Sequence, residues 1–312
     1  MHNFTNQTMI SIIEDLKDKL PVLNARETID LEVLNPDVRC STYAGSLVEI
    51  DGLQYVYRGY KTWVDLAQSL QCKMLTPKIN SKNTVILTFE KLNINESFHN
   101  VITDKEEKYG SKSIFSSIHK NEESSFIYYY LEALHNVGIN KRKRILNLGV
   151  NSGDEFEVIQ HVASNFKKLE LVGIDYCSSA ISQAAEKFKN YENVSFYNHD
   201  IKNLASLELG RFDLIISVGT LQSSNLEFND FLMSIVQNQL KPEGAMILGL
   251  PNCRWDDGEM IYGAKVKNYP YCEMGLLYKD AIFCKKYLQQ KKFRVTITGK
   301  DYIFITATSI RK

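Results

Sequence analysis

No stretch of about 18 consecutive apolar residues occurs in the 312-residue chain, so the sequence predicts no transmembrane helix. An excess of one charge sign is missing as well. Lys+Arg and Asp+Glu are each 37, a formal net charge of zero, which gives no support for a broad nucleic-acid-binding face and leaves only a local patch open. None of the six cysteines (Cys40, Cys72, Cys177, Cys253, Cys272 and Cys284) forms a C-x-x-C pair. Their scatter fits reduced thiols in a cytoplasmic protein. A zinc site on Cys253, Cys272 and a distant His is the alternative; small buried thiols are the simpler reading. The start, "MHNFTNQTMISIIEDLKDKL", lacks the basic segment and apolar core of a secretion signal. Met9, Ile12, Ile13, Leu16 and Leu20 instead follow amphipathic-helix spacing. The N-x-[ST] matches "NFT" and "NQT" therefore read as chance. There is no internal repeat and no low-complexity tract.

What is present divides into two parts, expected at residues 1–104 and 105–312. In the first, "LVEIDGLQYVYRGY" reads as two short strands around Asp51-Gly52, a hairpin signal. "KTWVDLAQSLQ" puts Trp63, Leu66, Ala67 and Leu70 on one helical face, and "NTVILTFEKL" is a β-branched apolar strand. This is a small α+β module. Residues 105–138 read as a connector with lid helices, ending in "SSFIYYYLEALHNVG", where Phe126, Tyr130 and Leu134 share a face and Gly138 stops the helix.

From Arg144 strand and helix alternate: "RILNLGV", "DEFEVIQHVASNF", "LELVGIDY", "SSAISQAAEKFKNY", "VSFYNHD", "FDLIISVG", "FNDFLMSIVQNQL" and "GAMILGLP". Continuous apolar strands interleaved with amphipathic helices predict an α/β fold with a mostly parallel sheet covered on both faces. Ligands of such sheets sit at the carboxyl ends of strands. After a helix, "YKDAIFCKKYLQQKK", the chain finishes with "FRVTITGKDYIFITAT", two strands joined across Gly299-Lys300. An antiparallel hairpin at that point departs from a simple nucleotide-binding repeat.

The stretch "RILNLGVNSGDEFEVIQHV" shows a strand breaking at Gly149 and Gly153 and entering a helix at once. Such a turn lets backbone N–H groups approach a ligand closely. Together with "VGIDYCSSA", "YNHDIKNL", "FDLIISVGT" and "LKPEGAMIL", in this order and with the closing hairpin, the region from about Phe115 to the C-terminus resembles the class I S-adenosylmethionine-dependent methyltransferases. The resemblance implies a seven-stranded Rossmann-like sheet and S-adenosylmethionine as cofactor. It also implies a cofactor site made of Asn147, Gly149, Asn151 and Gly153 in the glycine loop. Asp175 then lies at the ribose, Tyr176 packs on adenine, Asp200 and Ile201 lie near the adenine amine, and Ser217 and Gly219 close the fourth strand. Two positions depart from the family pattern: Asn147 stands where an acidic residue is usual and Asn151 where the middle glycine is usual. A carboxylate such as Asp175 can accept two hydrogen bonds from a vicinal diol. Helix capping is the competing role for both Asp175 and Asp200.

For the acceptor, the fourth strand lacks the Asn/Asp-Pro-Pro-aromatic signature associated with adenine or amide nitrogens, and no cytosine-C5 nucleophile pair appears. The long segment after the fifth strand, "LPNCRWDDGEMIYGAKVKNYPYCEMG", exceeds a plain connection. It offers Asn252, Arg254 and Tyr262 for substrate and Glu259 as a candidate base, packing on the N-terminal module being its other use. Tyr109, Ser111 and His119 are lid candidates. The runs "NKRKR" and "KKYLQQKK" read as solvated faces before RNA contacts. The expected reaction is methyl transfer to an oxygen or nitrogen of a small molecule. An RNA or protein acceptor is the alternative within the class, and a non-catalytic cofactor-binding module the alternative outside it. A nicotinamide dehydrogenase is disfavoured by the G-x-x-x-G spacing. A homodimer contact is one use open to the N-terminal module. The zinc reading aside, no metal is called for.

Overall fold

A computed structural model describes residues 1–38, 43–96, 107–222, 226–263 and 274–311. The chain divides into two compact units, Met1–Asn100 with Trp255–Ile261, and Val101–Arg254 with Tyr262–Lys312.

The first unit runs β1 (His2–Asn3), α1 (Met9–Lys19), β2 (Thr28–Leu34), β3 (Leu47–Ile50), β4 (Leu53–Val56), α2 (Tyr60–Ser69), β5 (Cys72–Met74), β6 (Lys78–Ile79) and β7 (Thr84–Lys91). Its main sheet has the order β1-β2-β7-β5, with β6 also pairing β7. The stripe expected on α1 is realised: Ile12 and Leu16 are fully buried beside Trp63 and Phe89. Asp51 and Gly52 both take positive φ (53° and 79°) between β3 and β4, the backbone a tight hairpin requires. A single boundary after residue 104 misses the return of Trp255–Ile261 to this unit. The cause is charge pairing over long sequence distance. Asp257 accepts from the Arg26 guanidinium at 3.0 Å and from the Asn93 N–H at 3.1 Å.

The described part of the second unit opens with three 3₁₀ turns, at Glu107–Tyr109, Ile114–Ser117 and Lys120–Glu122, in the stretch read as a connector with lid helices. Ser, Lys and Gly dominate this stretch and give it no apolar stripe to bury. Then come α3 (Ser124–Asn136), β8 (Arg144–Leu148), α4 (Asp154–Val162), β9 (Glu170–Asp175), α5 (Ser178–Lys187), β10 (Val194–Asn198), β11 (Phe212–Val218), α6 (Phe228–Asn238) and β12 (Leu240–Pro251). A short two-stranded element, β13 (Cys253–Asp256) and β14 (Glu259–Tyr262), carries the Trp255–Ile261 stretch of the first unit; the second unit goes on with α7 (Met274–Gln290), β15 (Phe293–Gly299) and β16 (Tyr302–Ser309). The seven-stranded sheet has the order β10-β9-β8-β11-β12-β16-β15. The first five strands are parallel; β16 and β15 are antiparallel additions, as the closing hairpin predicted. Two apolar layers cover it. One face carries Leu146, Ile215, Leu232, Met246 and Leu288, the other Phe126, Phe156, Ile159, Leu171 and Phe304. The strand order reverses between β8 and β11, the point at which open α/β sheets take their ligands.

Candidate cofactor and acceptor site

The glycine turn is built by backbone angles that few side chains tolerate. Gly149 and Gly153 have φ of 75° and 84°. A Cβ on Gly149 would overlap the Thr220 hydroxyl, and one on Gly153 would lie 2.9 Å from the Phe188 ring. Asn151 replaces glycine at φ 45°, in the left-handed region where Asn is better tolerated than most residues. Its side chain is used: Nδ2 donates to the Tyr109 carbonyl at 2.9 Å, and Oδ1 accepts from the Ser152 N–H at 2.8 Å. The turn therefore survives the substitution. Asp154, Glu155 and Glu157 follow in the first turn of α4, where the helix dipole favours negative charge.

Asp175 ends β9 beside this turn. Its Oδ2 accepts from the Asn151 N–H and its Oδ1 from the Cys177 N–H, both at 2.9 Å. Burial raises its pKa above the ordinary 3.8, although these N–H donors and Lys120 oppose the rise. Asp175 does not cap α5, which starts at Ser178 with Cys177 as its N-cap and no side-chain cap. Ser179 donates to Glu107 at 2.6 Å and accepts from the Ser111 N–H at 2.9 Å. The connector thus reaches the end of β9 through Glu107 and Ser111 and the glycine turn through Tyr109. Glu107 carries no motif and was not foreseen. Tyr176 is half exposed. Asp200 caps the 3₁₀ segment Ile201–Leu207 through the Lys202 N–H at 2.9 Å, and Ile201 is buried. Ser217 is buried and donates to the Leu148 carbonyl at 3.0 Å, tying the ends of β8 and β11 together. Gly219 follows at φ 72°.

Asn147 is fully buried near the end of β8. Its Nδ2 donates to Glu155 Oε2 at 3.2 Å, and its Oδ1 is buried with no partner. Glu155 is itself fully buried and pairs with Lys120 Nζ at 2.7 Å. Sequence reasoning missed both Glu155 and Lys120, because neither belongs to the glycine motif. A Glu inside the apolar face of α4 was the available signal.

Of the acceptor candidates, Asn252 is buried one residue past β12. It holds the turn between β15 and β16 by bonding the Asp301 and Lys300 carbonyls at 2.8 and 3.0 Å, and its Oδ1 is buried without a partner. Arg254 Nη1 donates to the Tyr262 and Gly263 carbonyls at 3.2 and 3.0 Å. Glu259 belongs to the first unit, where it pairs with Lys73 at 2.8 Å and raises that ammonium's pKa. Lys265 and Cys272 lie outside the described residues. Burial pushes the Cys253 thiol up to about 12. Among the described residues no group of three His, Cys, Asp or Glu side chains is placed to hold a metal ion. Among them too, no helix is long and apolar enough to cross a membrane.

The residues fit S-adenosylmethionine. Asn147 Oδ1 is an orphaned acceptor, the Asp175 carboxylate keeps acceptor capacity beyond its backbone N–H bonds from Asn151, Cys177 and Tyr176, and both sit at the carboxyl ends of adjacent strands. Comparison with known proteins agrees. A family model described as "Methyltransferase domain" matches residues 139–294, half of the chain. Carboxy-S-adenosyl-L-methionine synthase of Helicobacter pylori (strain HPAG1) is 26% identical over 121 residues, covering 39% of this chain and 48% of that protein. The non-reducing polyketide synthase ausA of Emericella nidulans is 26% identical over 123 residues, covering 38% of this chain and 5% of that protein. The chain thus spans less than half the length of these curated relatives. Among solved structures, the CurJ carbon methyltransferase is similar at a TM-score of 0.46 and 14% identity, over 81% of this chain and 80% of that one. The N-methyltransferase NodS from Bradyrhizobium japonicum WM9 with S-adenosyl-L-homocysteine is similar at a TM-score of 0.42 and 15% identity, over 60% of this chain and 89% of that one. With the glycine turn and the strand-end carboxylate in agreement with the family match, the chain belongs to the methyltransferase-domain family.

Proposed function

We propose that the acceptor is an oxygen or nitrogen atom of a small molecule. The observation that carries this reading is Asn252. A buried carboxamide with an unused acceptor oxygen stands at the carboxyl edge of β12, next in the sheet to β11. Small-molecule sites are built this way, from apolar walls and a few fixed polar groups. A buried acceptor left without a donor calls for an explanation, and a donor on the substrate supplies one. Arg254 and Tyr262 flank it as the further proposed contacts.

The cofactor supplies a methyl group on a sulfonium, whose charge disperses during an in-line displacement. The chain therefore has little new charge to stabilise. Asp175 holds one end of the site, the turn at Gly149–Gly153 fixes the other, and Asn252 orients the acceptor against both. Alignment of this kind is worth up to about 7–11 kcal/mol. Only an acceptor that must lose a proton needs a base. Glu259, the candidate base, lies in the first unit, where it pairs with Lys73 at 2.8 Å, and it is assigned no part in the transfer.

Charge supports a small acceptor over RNA. Net charge is zero, and the basic run before β8 is used internally. Arg142 donates to the Val137 carbonyl at 2.6 Å, and Arg144 lies over the Phe212 ring at 4.4 Å while pairing with Glu170 at 2.8 Å. The N-terminal unit is proposed as an accessory module that selects the acceptor. The test is methyl transfer from radiolabelled S-adenosylmethionine to a cell extract split into small-molecule, RNA and protein fractions. Label is expected in the small-molecule fraction; label confined to RNA or protein overturns the reading.

A further inference from the structure

We propose that Lys120 and Glu155 are a displaced charge pair that reads the amino-acid end of the cofactor. In this assignment Lys120 meets the α-carboxylate, and Glu155 acts through Asn147 on the α-ammonium. The proposal rests on the cofactor assignment above and adds two residues outside the glycine motif.

The argument starts from Asn147. Its amide is neutral, so the strand end itself carries no charge toward a cationic amine. Eight residues on, Glu155 is fully buried on α4. A buried carboxylate is costly unless it is paired and hydrogen-bonded. Here both oxygens are engaged, Oε2 by Asn147 Nδ2 at 3.2 Å and Oε1 by Lys120 Nζ at 2.7 Å. A carboxylate only accepts, so it fixes which way the amide faces: the NH₂ turns toward Glu155. The amide oxygen thereby faces away from Glu155, and it is the atom that is buried without a partner. An ammonium donor satisfies that oxygen, with the Glu155 charge behind the dipole.

Lys120 is the second half. Its side chain is 12% exposed, and its ammonium lies 5.8 Å from the Phe126 ring centre. One of its three donors is used on Glu155, and two remain. Beside it, the Asn121 Oδ1 is a second buried acceptor without a partner, while Nδ2 of that residue donates to the Asp154 carbonyl at 3.1 Å. Asp154 and Asp175 also face Lys120, and Lys187 pairs with Asp154 at 3.2 Å. A cluster of one free-ended cation, orphaned amide oxygens and fixed carboxylates matches a zwitterion: a carboxylate for Lys120, an ammonium for the amide oxygens.

The test uses the full chain and two ligands. S-adenosyl-L-homocysteine carries the amino-acid end; 5′-methylthioadenosine lacks it. Single Lys120→Met leaves Glu155 buried and unpaired, so the double variant Lys120→Met/Glu155→Gln is made as well, with circular dichroism and thermal melting to report folding. Calorimetric titration of the double variant should show affinity for S-adenosyl-L-homocysteine lowered at least tenfold, with 5′-methylthioadenosine held within twofold of wild type. Equal losses for the two ligands would assign the pair a purely structural role and overturn the proposal. So would native affinity for S-adenosyl-L-homocysteine in a folded double variant, a result that leaves the cofactor assignment intact. Binding of neither ligand by wild type would overturn both.

Discussion

Replacing Asp175 by Ala is the most direct perturbation of the cofactor site. Each carboxylate oxygen already accepts one backbone N–H, from Asn151 and from Cys177, at 2.9 Å. The Tyr176 N–H also bonds the carboxylate, so about one of its roughly four lone-pair sites is left, and a ribose hydroxyl supplies one donor. A hydrogen bond to a charged group is worth about 1.5–3 kcal/mol. One such bond at the lower value gives about 1.5 kcal/mol, or roughly tenfold or more in affinity. Asp175→Asn keeps one acceptor oxygen and should lose less than that. Titration calorimetry with S-adenosyl-L-homocysteine at neutral pH measures both, and thermal melting separates lost contacts from a loosened turn. Affinity within twofold of wild type in folded Asp175→Ala would refute the ribose assignment. The pH dependence gives an independent check. Burial raises the Asp175 pKa above 3.8, so wild-type affinity should fall on acidification, starting at a higher pH than for an ordinary Asp. Asp175→Asn should remove that component. The effect on the free protein has the opposite sign. A carboxyl whose pKa is raised on folding contributes stability below its unfolded value and loses it as pH rises through the folded value.

Three further outcomes are expected. Gly149→Ala, at φ 75° and against Thr220, should cost about 1–2 kcal/mol from backbone strain alone and more from the overlap; adding Thr220→Ala should recover the overlap and leave the strain, as read by denaturant unfolding. Ser217→Ala removes a buried donor to the Leu148 carbonyl and should destabilise by about 1–3 kcal/mol, with unchanged stability arguing that this bond does not tie β8 to β11. Cys72, Cys253 and Cys284 are buried, and burial pushes their thiols up to about 11, 12 and 12; at pH 8 they should resist iodoacetamide in the native protein and react in denaturant, as mapped by peptide mass spectrometry.

How much of this was legible in the sequence depends on the range of the interaction concerned. The parallel sheet, its closing hairpin and the turn at Gly149–Gly153 follow from local rules: apolar runs of strand length, helical stripes, and glycines where φ must be positive. Asp175 was legible because a strand end and the next helix start fix its place on the chain. Asp200 was foreseen in position, and its cap on Lys202 realises the competing role read for it. The excursion after β12 was recognised by length, and Trp255–Ile261 clusters with the first unit, the other use read for it.

The sequence by itself determined the element types, the α/β class and the strand ends that carry the site, because each rests on patterns a few residues long. Only the tertiary structure decided that β8 lies between β9 and β11, since strand order depends on crossover connections and not on local spacing. It alone brought Lys120 to Glu155 across 35 residues and set Glu155 against Asn147, filling with a buried charge the place where a neutral amide stands. Such pairs form because a charge removed from water must find its partner wherever the fold delivers one.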